Sequence, residues 1–241
     1  MTRDTLAASI PLPRYVPYFG GGSARARARL RRTRLELRLR LLDAGPLVQR
    51  QLAVVAAGFG LLATLPLLVL IAIAIKLTSP GPFLFRQERI GKHGRRFFML
   101  KLRTMYVGAD AMRAELAAGA GQGVRFKLRR DPRVTPVGQI LRRYSLDELP
   151  QLWNVLIGDM ALVGPRPPLW SEVIRYDARA MRRLEVDQGL TCLWQIGGRS
   201  DLSFEEQIKL DLHYVDRVRP IEELRILVKT LPAVLRGRGA Y

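Results

Sequence analysis

Apolar and polar positions divide the chain sharply. From Leu52 to Ile75 the sequence runs for 24 residues with Thr64 as its one clearly polar side chain. A straight helix of that length measures about 36 Å, enough for a bilayer core of about 30 Å. Before it, Arg34–Leu42 alternates leucine with charge at a period nearer 2 than 3.6, which indicates helix only weakly. After it, Ser79-Pro-Gly-Pro82 reads as a rigid turn. Phe83–Ile90 and Phe97–Met105 read as two short strands joined by a Gly-containing turn. Helical patterns follow at 108–118, 139–143, 145–156, 169–186, 203–217 and 221–236, with a loop at 119–123 and a basic stretch at 125–138 broken by Pro132 and Pro136. The pattern predicts a single helix-rich α/β domain over 77–241 with no βαβ alternation. It is carried on an apolar helix at 51–76 and preceded by a mobile basic tail at 1–50.

Composition narrows the class. At 48% hydrophobic residues the chain is not wholesale disordered, and one long apolar run excludes a multi-span transporter. The run begins too late for a secretory signal. A single cysteine, Cys192, excludes an intramolecular disulfide, and with only His93 and His213 beside it a zinc cluster is not expected. The net charge of +19 points to an acidic partner or a negatively charged membrane surface.

Charge also bears on topology. Residues 24–50 hold nine arginines against Glu36 and Asp43, and Lys76 to Arg103 hold eight cations against Glu88 alone. A spanning helix normally keeps its basic flank on the cytoplasmic side only. Pro66, near the centre of the apolar run, removes a backbone hydrogen bond and clashes with the preceding turn. A re-entrant helix bent at Pro66, entering and leaving on the cytoplasmic face, satisfies both flanks. A kinked span and a buried helix of a soluble core stay open as alternatives.

The richest chemistry lies in Ser145-Leu-Asp-Glu-Leu-Pro-Gln151. Ser145 and Glu148 match a capping box, although Pro150 fits more comfortably if Asp147 is the cap. Either reading sets Asp147 and Glu148 at a helix N-terminus, where the dipole favours the ionised form. Capping alone would account for the pair. Paired carboxylates also suit nucleophilic attack and divalent-cation binding. Arg142, Arg143, the proline-flanked Arg166, and Lys101 with Arg103 at the end of a strand supply cations that match phosphate oxygens. Acids amid fixed arginines suit phosphoryl transfer, where positioning and charge neutralisation dominate. No Walker loop or dinucleotide glycine fingerprint is present.

Together these segments resemble the bacterial sugar transferases, the monotopic phosphoglycosyl transferases. The resemblance is carried by Ser79–Gly91, Lys101-Leu-Arg-Thr-Met105, Ser145–Asn154, Gly158–Pro167, Leu193-Trp-Gln195 and Gly198-Arg-Ser200. It covers roughly 50–241. It implies transfer of a sugar 1-phosphate from a UDP-sugar to a polyprenyl phosphate, with Mg²⁺, releasing UMP. It further implies Asp147 as nucleophile, Glu148 as the metal-associated acid, and Arg142 and Arg166 on substrate phosphates; Lys101 and Arg103 are expected on the same phosphates from their charge and place, and Gln195 and Arg199 in nucleotide-sugar recognition. A place at the cytoplasmic face of a bacterial inner membrane, among anionic lipids, goes with it, and a homodimer stays open. The family pattern Pro-Gly-Leu-Thr-Gly stands here as Gln188-Gly-Leu-Thr-Cys192. A nucleic-acid binder is disfavoured because residues 24–50 contain no aromatic. A catalytically inactive scaffold in a polysaccharide assembly is the alternative, and the intact Asp147-Glu148 pair speaks against it.

Overall fold

The computed structural model describes residues 22–109, 111–112, 131–198, 201–217 and 220–237, with side chains from residue 47 onward. The tail before residue 22, most of the helix and loop expected over 108–123, and Arg199 lie outside the described residues. Two compact units are present, Met1–Leu47 and Val48–Tyr241. In the first, the described backbone is helical from Gly22, so the leucine–charge alternation does not make an extended segment there.

Helix α1 (Gly22–Thr78) runs through Pro66 without interruption. Pro66 lacks the N–H that the Leu62 carbonyl would otherwise receive. One turn earlier the Thr64 hydroxyl donates to the Gly60 carbonyl at 2.7 Å. Leu47–Thr78 is long and apolar enough to cross a membrane. Even so, one face of α1 packs on the elements that follow it. Ala53, Ala57 and Leu61 join Phe97, Met99, Leu152, Val155 and Met160, while Leu68, Ile71 and Ile75 join Leu102 and Leu141. Both ends of the apolar run are also tied down. Arg50 donates to the carbonyls of Val155 at 2.6 Å and Met160 at 3.2 Å. At the other end Arg103 donates to the carbonyls of Ser79 at 2.8 Å and Pro80 at 2.6 Å.

The expected hairpin is present, with β1 (Leu84–Ile90) antiparallel to β2 (Arg96–Leu102) and Phe85 opposite Lys101. Helix α2 (Pro136–Arg143) starts from Thr135, whose hydroxyl accepts from Gly138 N at 2.9 Å. The helix expected over 145–156 is split. Ser145 takes a left-handed conformation at φ 51°, a 3₁₀ turn covers Leu146–Glu148, and α3 (Gln151–Ile157) begins after Pro150. Neither Ser145 nor Asp147 caps α3, because Pro150 occupies the cap position.

Two three-residue strands escaped the pattern. Strands β3 (Ala161–Val163) and β4 (Gly189–Thr191) pair in parallel, so a small βαβ-like crossover exists where none was expected. The intervening 169–186 region, expected as one helix, breaks into α4 (Trp170–Val173), α5 (Ala178–Met181) and a 3₁₀ turn. Helices α6 (Leu193–Gly197), α7 (Phe204–Arg217) and α8 (Pro220–Arg236) complete the unit, the last two as expected.

Candidate active site

Three elements bring their functional side chains together. Lys101, at the end of β2, donates to Glu148 Oε1 at 2.7 Å and lies 3.9 Å from Asp147 Oδ2. Left-handed Ser145 makes the tight turn that places both acids on the short 3₁₀ segment against this strand. From α6, Gln195 Nε2 donates to Glu148 Oε2 at 3.3 Å. Asp147 is buried, and loss of hydration pushes its carboxyl up to about 6; Lys101, Arg142 and Arg166 pull the other way, and Glu148 adds to the rise. The ionised form expected from a helix dipole is thus opposed by burial, because the 3₁₀ turn is too short to supply the dipole.

Arg142 is aimed by a contact that the sequence reading missed. Its Nε donates to Thr104 Oγ1 at 2.9 Å. The approach depends on Gly138, where an added Cβ would lie 2.1 Å from the Thr104 carbonyl oxygen. The only hint was the position of Thr104 between Lys101 and Met105. Arg166 follows β3 on a loop whose Pro165, Pro167 and Pro168 are fully buried. Two buried arginines hold that loop by its carbonyls: Arg89 reaches Pro167 at 3.0 Å and Arg183 reaches Arg166 at 3.5 Å. Arg183 is itself paired with buried Asp211 at 2.6 Å.

The structure does not bring Arg103 to the carboxylates. Its guanidinium is buried on Ser79 and Pro80, under Gly81, whose φ of +107° and closeness to Arg103 leave no room for a side chain. Lys101 reaches both Asp147 and Glu148, Gln195 reaches Glu148, and the charges of Arg142 and Arg166 act on Asp147. Such a centre can offer a carboxylate nucleophile to an electrophile whose negative charge is met by nearby cations. Among the described residues no group of three or more His, Cys, Asp and Glu comes together. A divalent cation would therefore rely on Glu148 and complete its shell with phosphate oxygens and water, the usual mode for Mg²⁺.

Comparison with known proteins identifies the family. Residues 45–237 match the family model described as bacterial sugar transferase. The exopolysaccharide production protein ExoY of Sinorhizobium fredii is 41% identical over 202 residues, 82% of this chain and 89% of that protein. The UDP-glucose:undecaprenyl-phosphate glucose-1-phosphate transferase of Caulobacter vibrioides is 43% identical over 201 residues, 80% of this chain and 72% of the relative. The UDP-galactose-lipid carrier transferase of Erwinia amylovora is 38% identical over 237 residues, 96% of this chain and 50% of the relative. With a family model spanning most of its length and relatives of this similarity, the chain belongs to the bacterial sugar transferase family.

Proposed function

We propose that this phosphoglycosyl transferase moves a sugar 1-phosphate from a UDP-sugar to polyprenyl phosphate as the first membrane step of a polysaccharide. The observation that carries the reading is the buried Asp147 carboxyl beside Glu148, faced by Lys101, Arg142 and Arg166. An oxygen of Asp147 attacks the sugar-bearing phosphorus, and the bond from that phosphorus to the bridging oxygen breaks, releasing UMP. A phosphate oxygen of the polyprenyl acceptor then attacks the same phosphorus and returns the carboxylate of Asp147. Arg142 and Arg166 meet the charge of the phosphoryl oxygens, and Lys101 can pass from Glu148 to the diphosphate. Mg²⁺, held through Glu148, would supply charge neutralisation on the diphosphate. Radiolabelled UDP-glucose and UDP-galactose, offered without acceptor, test the covalent step. Label should stay on denatured wild-type protein and be absent from Asp147→Asn. UMP release by Asp147→Asn at the wild-type rate would overturn the role of Asp147.

In this reading α1 enters and leaves the cytoplasmic face of the inner membrane. The tethering of Arg50 and Ser79 to one catalytic unit favours this over a span, because a spanning helix would carry its two ends to opposite sides. Anionic lipids would complement the basic flanks.

A further inference from the structure

We propose that Gln195 is a positioning residue for Glu148, held in its working orientation by the Cys192 thiol. The inference rests on the sugar 1-phosphate transfer proposed above and assigns Gln195 a task other than nucleotide-sugar recognition. Glu148 is gripped at both oxygens from different elements. Lys101 on β2 takes Oε1 at 2.7 Å and the Gln195 amide on α6 takes Oε2 at 3.3 Å. The two grips differ in kind. Lys101 is a mobile point charge that an incoming diphosphate can draw away. Gln195 is neutral, so it directs the carboxylate without cancelling its charge and has less reason to leave when phosphate arrives.

An amide can present either its NH₂ or its oxygen to a carboxylate, and only the first is favourable. Cys192 locks that choice from the other end. Its Sγ donates to Gln195 Oε1 at 3.5 Å, which turns the NH₂ end toward Glu148. Cys192 is fully buried, and burial keeps the thiol protonated and therefore a donor. Buried Trp194 anchors the helix turn that carries Gln195. Cys192, Gln195 and Glu148 thus form a relay reaching from the core to the acid pair. The glycine of the family pattern at position 192 has no side chain to make the first link.

The test uses the full chain in lipid nanodiscs with undecaprenyl phosphate and whichever of UDP-glucose and UDP-galactose supports wild-type UMP release. Gln195→Met keeps the side-chain length and removes the donor. Its kcat should fall between about tenfold and a hundredfold, the range for losing one hydrogen bond to a charged group. KM for the nucleotide sugar should stay within about twofold. Calorimetric affinity for UMP in EDTA should likewise be unchanged, since Gln195 does not touch the nucleotide. A rise in KM or a loss of UMP affinity with unchanged kcat would overturn the proposal and return Gln195 to substrate recognition. Unchanged kcat and KM would overturn it as well. If Gln195→Met does not fold, Cys192→Ala and Cys192→Ser decide: serine must give a higher kcat than alanine at equal KM, and equal kcat values overturn the relay. A wild-type protein that releases no UMP from either sugar would instead defeat the proposed function.

Discussion

Asp147 carries a conflict between stability and reactivity that pH can expose. In the folded protein its carboxyl holds a proton up to about pH 6, against 3.8 when exposed. Well below 3.8, at about pH 2.5, both folded and unfolded chains are protonated there and the site is neutral in stability. Above pH 6 folding must bury a charge, and stability falls across the intervening window by about 3 kcal/mol. Asp147→Asn should therefore melt higher than wild type at pH 7.5 in EDTA, with the advantage shrinking steadily as the pH is lowered from about 6 toward 4. Wild-type UMP release should fall about tenfold per pH unit below about 6, where the nucleophile keeps its proton. The pair Arg183–Asp211 is the second pressure point, with neither side chain more than 1% exposed. Asp211→Leu should cost about 3–5 kcal/mol, because it strands a buried guanidinium, while the double change Arg183→Met with Asp211→Leu should recover much of that loss in chemical denaturation. At this scale the candidates that the structure groups around Asp147 were legible as candidates because phosphate chemistry selects acids and fixed cations. Arg103 was not, since an arginine on phosphate and one on two carbonyls look alike in a sequence. Nothing in the chain announced Asp211 as the partner of Arg183, 28 residues away in the numbering.

Elements were legible in proportion to their length. The hairpin and the helices at 204–217 and 220–236 repeat their period often enough to be read. Strands β3 and β4 are three residues each, too short for alternation to register. The break at 145–150 needed the left-handed Ser145, which no propensity foretells. The seating of α2 against Thr104 is equally hidden, and it depends on one missing methyl group. Gly138→Ala should push the helix off the Thr104 carbonyl, lowering stability by about 1–3 kcal/mol. It should also lower kcat by at least about tenfold as Arg142 loses its bond to Thr104. Melting and steady-state kinetics on the same sample separate the two effects. Helix α1 invites a different measurement. Single cysteines before Arg25 and after Ile75 should stay unlabelled by an impermeant thiol reagent on intact spheroplasts, with buried Cys192 changed to alanine. Pro66→Ala restores a helix hydrogen bond and should let part of the population label at the tail site.

Taken whole, the catalytic unit shares with α1 the two core clusters that lie behind β2, α2 and α3, while its other clusters are built without that helix. Ala57 and Ile75 are as deeply buried as Met99 or Leu102, Ile71 is buried beside them, and all three lie in the same clusters as those residues. The surface reading of 51–76 as an attached helix was right about its composition and silent about this sharing, because an apolar run looks the same whether lipid or protein covers it. Full burial of one isoleucine contributes roughly 1.5–3 kcal/mol, and a folded domain is stable by only about 5–15 kcal/mol. The consequence reaches the bench. A chain begun at residue 79 to obtain a freely soluble enzyme should not yield one: stripped of Ile71, Ile75 and Ala57, it should sediment as aggregate or bind a hydrophobic dye like a molten globule. Recovery of a monodisperse, sharply melting fragment would show that the helix is a detachable anchor instead of a wall of the catalytic unit.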